Sequence, residues 1–494
     1  MVHHLAKDPQ KLKMYNDVTV EQERRGFIER VACPEVTKGK CHYLPHHAVF
    51  KESATTPIRV VYDCSCRQSK THPSLNDCLL TGPPIANDLT GILLRFRCHK
   101  YGFTTDIEKA FLHVSLDEGD RDATRFFWLS DPDDPTSTFH VYRFKVVLFG
   151  ASSSPFILNA TLNKHLNQYN DPVTEDMKKN IYVDDLISGV QHDEEAATYY
   201  NRARALMSPV GFNLRSWTSN NPVIQSLAAK ENLLDDCPEA KVLGVLWNTT
   251  TDMITYPARR AASLTPNLIT KREVLQESSK IYDPIGFLGP VTVRAKILMQ
   301  DLWRQGIGWD EPLPPDLQMT WKELATELEM IMSIAIPQQY FPLSSTWPND
   351  VELHVFVDAS TKAYGTVAYL NSPQESYSSF VMAKSRIAPA KELSLPQLEL
   401  TAAVIGARLA SYLQSQLHFN KVYLWSDSQI VLYWLRSTKE LKPFVANRVR
   451  EIKELTSLTS WKYCPTSDNP ADLLTRGIRS QQLESSAMWK QGPS

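Results

Sequence analysis

A chain of 494 residues is too long for one ordinary hydrophobic core, so two to four domains are expected. Its 43% apolar and 22% charged residues are those of a soluble globular protein, and no apolar run reaches the ~18 residues of a membrane span. A net charge of −2 excludes a globally basic nucleic-acid binder and leaves room only for a local basic groove.

Residues 1 to about 50 are polar and mixed, with no apolar stretch of signal-peptide length at the N-terminus, so an intracellular protein is expected. The eight cysteines (33, 41, 64, 66, 78, 98, 237 and 464) are sparse and irregularly spaced, which fits reduced thiols. Cys41-His42 with His46-His47 lacks a second pair at zinc-finger spacing. Tyr43-Leu44-Pro45 and Ala48-Val49-Phe50 therefore read as strand and turn beside solvated imidazoles. Strands are expected at 58–63, 100–106 and 241–247, and a helix at 196–207. Residues 271–335 have helical periodicity, broken at Asp283-Pro284-Ile285-Gly286 and at Glu311-Pro312-Leu313-Pro314-Pro315. After a polar stretch at 344–350, a strand at 351–357 opens an α/β domain that ends near Gly477. The basic run from Arg436 to Lys453 suits a solvated helix face as well as a phosphate-binding surface.

Two sets of acids stand out. Asp184 and Asp185 follow Ile181-Tyr182-Val183 and precede Leu186-Ile187, which reads as a tight hairpin with both acids in its turn. Adjacent carboxylates repel, so such a pair holds a cation or shares a proton, unless it is an ordinary surface turn. Asp106 ends another apolar strand, Arg59 lies on an earlier one, and Leu148 to Pro155 is a small-residue loop leading into a helix. Three acids and a phosphate-binding cation are what two-metal phosphoryl transfer needs. Further on, Asp358 ends the strand at 351–357, Glu399 starts a helix at 395–417, Asp427 ends a strand at 422–425, and Asp472 precedes a final helix. Acids on two strands and two helices can converge at one sheet edge around a metal.

The motifs Tyr43-Leu44-Pro45-His46-His47-Ala48-Val49, Arg59-Val60-Val61-Tyr62-Asp63 and Ser74-Leu75-Asn76-Asp77 occur in that order. Thr105-Asp106-Ile107-Glu108-Lys109-Ala110-Phe111, Tyr182-Val183-Asp184-Asp185 and Gly211-Phe212-Asn213-Leu214-Arg215 follow. With them, residues 40–250 resemble the reverse transcriptases of LTR retrotransposons of the BEL/Pao group, and residues 350–478 resemble type 1 ribonuclease H. The resemblance implies a multidomain α+β and α/β chain, a right-hand polymerase of fingers, palm and thumb followed by a ribonuclease H-like domain. The segments would be 1–40 leading into the fingers, 41–250 fingers and palm, 251–345 thumb or connection, 350–478 ribonuclease H and 479–494 a tail. It implies a piece of a longer pol polyprotein.

By the same resemblance, Asp106, Asp184 and Asp185 are the polymerase metal ligands, and Asp358, Glu399, Asp427 and Asp472 those of the nuclease, with two Mg²⁺ (or Mn²⁺) per site. Arg59 would contact the triphosphate, and Phe111 would bar a ribose 2′-hydroxyl. Phe149, Gly150, Ser154, Pro155 and Tyr182 would lie along nucleotide and template, with Leu243-Gly244 and Trp247 as primer grip. Partners implied are an RNA template, a DNA primer, RNA–DNA hybrid, deoxynucleoside triphosphates and other pol products such as protease and integrase, without a membrane. The implied location is a cytoplasmic retrotransposon particle, with the nucleus as second compartment. Two departures are visible: Ser216 where many relatives carry lysine, and Tyr463-Cys464-Pro465 without the histidine that often precedes the last nuclease acid. Competing readings are a decayed or co-opted nucleic-acid-binding copy and an aspartic peptidase centred on Asp358-Ala359-Ser360, which lacks the expected glycine.

Overall fold

Leu12, Tyr15 and Thr19 recur at helical spacing and are buried along one side of helix α1 (Pro9–Arg24), whose first turn is capped by the Asp8 carboxylate. The computed structural model describes residues 2–32, 41–50, 58–257, 269–331, 334–344 and 346–493; Cys33 lies outside them. Contacts divide the chain into two units. The first draws on Met1–Asn87, Thr105–Leu186 and Tyr199–Ser216, the second on Asp88–Thr104, Ile187–Thr198 and Trp217–Ser494.

In the first unit, Tyr15 stacks on Trp128 at 4.4 Å within a core that includes Leu12, Tyr62, Phe126 and Phe144. Strand β1 (Ile58–Tyr62) pairs antiparallel with His46–Phe50. His46 departs from the solvated imidazole expected of it. Its Nδ1 bonds the Tyr15 hydroxyl and its Nε2 the Phe127 carbonyl at 2.8 Å. Burial pushes its pKa down to about 4. With both ring nitrogens engaged, it is a neutral structural histidine.

Strand β2 (Tyr101–Ile107), the short β3 (Ile181–Tyr182), β4 (Asp185–Val190) and β5 (Leu214–Ser219) belong to one four-stranded sheet in the order β3-β4-β2-β5. The helix expected at 196–207 is present and starts earlier, as Asp193–Met207.

The expected strand at 241–247 is instead a hairpin, β6 (Glu239–Val242) against β7 (Val245–Asn248). Leu243 and Gly244 turn the chain with φ of 48° and 97°, a conformation open to glycine and costly for leucine. Trp247, read above as part of a primer grip, is wholly buried and donates to Asp252 at 2.9 Å. Three helices follow, α2 (Lys271–Ser279), α3 (Gly289–Arg304) and α4 (Pro315–Met330), separated at the two expected breaks.

Arg97, also in this second unit, is 1% exposed, and main-chain carbonyls accept from it. Its guanidinium donates to the carbonyls of Phe380 (3.0 Å), Gln338 (3.3 Å) and Pro337 (3.4 Å) and lies over the Tyr340 ring at 4.2 Å. Arg97→Met keeps the volume but strands three carbonyls, so urea unfolding of the second unit should lose about 2–4 kcal/mol.

The last domain is a five-stranded sheet. Its strands are β8 (Glu352–Ala359), β9 (Ala363–Ser372), β10 (Tyr377–Ile387), β11 (Lys421–Ser426) and β12 (Trp461–Tyr463), in the order β10-β9-β8-β11-β12. The first three pair antiparallel, while β8–β11 and β11–β12 are parallel. A parallel pair needs a crossover, supplied here by the long helix α5 (Leu395–Gln416). In the basic run, Arg448 lies on the Phe444 ring at 3.5 Å, while Lys439, Lys442, Arg450 and Lys453 are exposed.

Candidate active sites

In the first unit, Tyr182 pairs with Asp185, so Val183 and Asp184 form the two-residue turn between β3 and β4. Val183 sits at φ 60°, a left-handed backbone that a β-branched residue adopts only at a cost. The Asp184 carbonyl accepts from the Ile107 amide at 2.8 Å, which fixes the turn beside the end of β2, where Asp106 lies. Burial, then the Asp106 charge, raise the Asp184 pKa, and Arg59 opposes them. The two acids are therefore close enough to feel each other. Arg215, at the start of β5, reaches Asp106 at 3.4 Å and Glu108 at 3.8 Å.

Asp106, Asp184 and Arg215 line a cavity of about 610 Å³, together with Arg59, Phe149 and Lys109. Helix α1 contributes Asp17 and Glu21 to its wall, and Arg25 follows at its C-cap. Arg59 lies 5.8 Å from the Phe149 ring, and Phe111 packs edge-on behind that ring at 4.8 Å. Gly150 has φ 97°, and a Cβ there would meet the Tyr62 carbonyl at 3.0 Å, so only glycine fits this close approach. Asn76 holds the loop by donating to the Gly150 carbonyl (3.0 Å) and accepting from the Ser152 amide (2.8 Å). Ser154 is buried and donates to the Leu148 carbonyl at 2.7 Å; Pro155 follows it in the first turn of the helix Ser154–Leu166. Asp185, Tyr182, Phe111, Gly150, Ser154 and Pro155 are not among the residues lining the cavity.

In the second unit, Asp358 near the end of β8 accepts from Thr475 at 2.7 Å. Glu399 on α5 accepts from Ser428 at 2.5 Å, and Asp427, just after β11, from Thr466 at 2.8 Å. Asp472 pairs with Arg476 at 2.7 Å. Burial, reinforced by Asp427 and Asp472, pushes the Asp358 carboxyl up to about 7, against the Thr475 bond. Burial raises Glu399 as well, with Asp427 adding to it and Ser428 opposing. Mutual repulsion thus links the four acids at the carboxyl ends of β8 and β11. Asp358 also belongs to the middle strand of the five-stranded sheet.

A comparison with curated proteins finds no match. Two family models do match: "Reverse transcriptase (RNA-dependent DNA polymerase)" over residues 50–216 and "Pao retrotransposon-like RNaseH-like domain" over 270–428. Residues 50–216 are thus a reverse transcriptase domain, and residues 270–428 a Pao retrotransposon-type ribonuclease H-like domain. Among solved structures the chain resembles the foamy viral protease-reverse transcriptase. In the complex with double-stranded DNA the TM-score is 0.56 at 14% identity, over 92% of this chain and 82% of that one. In the complex with an RNA/DNA hybrid it is 0.57 at 13% identity, over 92% of this chain and 54% of that one. These domains make the enzyme an RNA-directed DNA polymerase with ribonuclease H function.

Enzymes of both families use divalent metal ions. Among the described residues of this reverse transcriptase, no three His, Cys, Asp or Glu side chains converge tightly enough to enclose an ion. The donor chemistry nevertheless fits Mg²⁺, which keeps several waters and takes one or two carboxylates plus substrate phosphate oxygens. Buried carboxylates that raise one another's pKa are stabilised by such a charge. Sequence reasoning missed α1 as a cavity wall, Arg215 beside Asp106, and the three hydroxyls on the nuclease acids. The spacing of Leu12, Tyr15 and Thr19 could have revealed α1. Tyr463, in the stretch where the histidine is missing, is exposed, while the neighbouring Cys464 is buried, and burial pushes its thiol up to about 12.

Proposed function

We propose that Asp106, Asp184 and Asp185 carry nucleotidyl transfer in the first unit, and that Asp358, Glu399, Asp427 and Asp472 cut the RNA strand of RNA–DNA hybrid in the second. The observation that supports this most is the raised Asp184 carboxyl, wedged beside Asp106 in a cavity that Arg59 and Arg215 also line. Mg²⁺, or Mn²⁺ in its place, would lower the pKa of an attacking hydroxyl and neutralise charge on the leaving group at each site.

The protein's own part is positioning. The strained Val183-Asp184 turn and the Ile107 amide hold Asp184 against the end of β2. Arg59, braced by the Phe149 ring, supplies a fixed cation for a triphosphate. Phe111 packs edge-on against Phe149, and Phe149 presents the cavity with an apolar wall suited to a deoxyribose. Template RNA, primer DNA and deoxynucleoside triphosphates are the substrates on this reading. The complexes of the structural relatives with double-stranded DNA and RNA/DNA hybrid support nucleic acid as partner. A cytoplasmic retrotransposon particle, with protease and integrase from the same polyprotein, is the proposed setting.

Primer extension on an RNA template with deoxy- or ribonucleotides tests the reading. Wild type should extend with deoxynucleotides and discriminate against ribonucleotides. Phe111→Val should narrow that gap by roughly 10–100-fold, the worth of a few methylenes of steric wall. An unchanged ratio would remove Phe111 from sugar selection, and a wild type without extension would support the decayed, binding-only alternative.

A further inference from the structure

Three hydroxyls rest on the nuclease acids, and Thr475 differs from the other two. It is wholly buried, and its Oγ1 reaches two acid-bearing segments, Asp358 Oδ2 at 2.7 Å and the Asp472 carbonyl at 3.0 Å. A hydroxyl has one proton to donate. The Asp358 oxygen is nearer and carries charge once the carboxyl ionises, as it must to bind a cation, so that bond takes the proton. The backbone of Thr475 is held in turn, because Ser360 Oγ donates to its carbonyl at 3.0 Å. Ser360 lies two residues beyond Asp358, so strand β8 and the short helix Leu473–Arg476 are closed into one hydrogen-bonded ring.

We propose that Thr475 is a positioning residue of the ribonuclease H centre, fixing the Asp358 carboxylate relative to Asp472 so that both acids face a divalent cation in one arrangement. The inference rests on the ribonuclease H reading of the four acids. Without the hydroxyl, Asp358 keeps its burial but loses the bond that sets its rotamer. The loss then falls on cation affinity, whereas the fold is kept, because valine has the shape of threonine. If Thr475 served only to fill space, valine would replace it without effect.

The test uses the full chain as wild type, Thr475→Val, Thr475→Ser and Asp358→Asn. Two quantities are read: the Mg²⁺ concentration giving half-maximal cleavage of an RNA–DNA hybrid, and the rise in melting temperature with Mn²⁺. Thr475→Val should need about tenfold more Mg²⁺, the usual effect of removing a group that orients a metal ligand. It should also lose much of the Mn²⁺-induced rise that Asp358→Asn removes. Thr475→Ser should match wild type, and primer extension should be unchanged in both Thr475 variants. Equal Mg²⁺ requirement and equal Mn²⁺ response in wild type and Thr475→Val would overturn the inference. A wild type that responds to Mn²⁺ through Asp358 yet cuts no hybrid would overturn the ribonuclease H reading instead. The Mn²⁺ responses would then decide the role of Thr475 alone.

Discussion

Asp184→Asn leaves the protein folded and removes primer extension by a factor of about 10³ or more, since loss of a carboxylate that holds a catalytic cation forfeits several kcal/mol of transition-state stabilisation. The fold survives because the turn is held by main-chain contacts that asparagine keeps, the Tyr182–Asp185 pair and the Ile107 amide on the Asp184 carbonyl. The substitution also removes a charge that burial and Asp106 both disfavour, so stability without metal should hold or rise slightly. Circular dichroism and the melting temperature check the fold, and incorporation of labelled nucleotide checks activity. Hybrid cleavage should remain, since its acids lie in the other unit. Extension close to wild type would show that Asp184 is an ordinary turn residue.

Asp427→Asn does the reverse: cleavage falls about 10³-fold while extension persists. Asparagine can still accept from Thr466, so the local contact is kept while the charge is lost. The pH dependence follows from Asp358. Its folded pKa is raised to about 7, so the folded chain holds a proton that the unfolded chain has released. Between about 4 and 7, metal-free stability therefore declines as pH rises. Cation binding, which needs the proton gone, strengthens up to tenfold per pH unit until about 7 and then levels off. In Asp427→Asn one of the charges raising Asp358 is absent, so the pH at which Mn²⁺ stabilises the protein should move down. An unmoved profile with intact cleavage would separate Asp427 from the site.

Much of this was legible in the sequence because acids at strand ends, in a fixed order, survive as local patterns. The strands that bear Asp106 and Asp358 and the one that leads to Asp427 could be read from their apolar runs, and α5 from its length and periodicity. What tertiary packing decides was not legible. The run at 241–247 has the composition of one strand, yet Leu243-Gly244 folds it into a hairpin and sends Trp247 into the core. His46 looked solvated because its partners, Tyr15 and Phe127, lie 31 and 81 residues away. Thr475 lies 117 residues from Asp358, and no periodicity signals that contact. The Ser154 hydroxyl bonds the Leu148 carbonyl, another contact that no periodicity signals.

The most direct measurement follows both strands in one reaction. The purified chain is given an RNA template labelled at its 5′ end, a labelled DNA primer, deoxynucleotides and Mg²⁺. The expected result is growth of the primer to template length, accompanied by shortening of the RNA. Asp184→Asn should stop the primer's growth while still cutting preformed hybrid, and Asp427→Asn should leave full-length DNA paired to intact RNA. A wild-type protein that binds the primed template but neither lengthens the DNA nor shortens the RNA would contradict the assignment of two active sites.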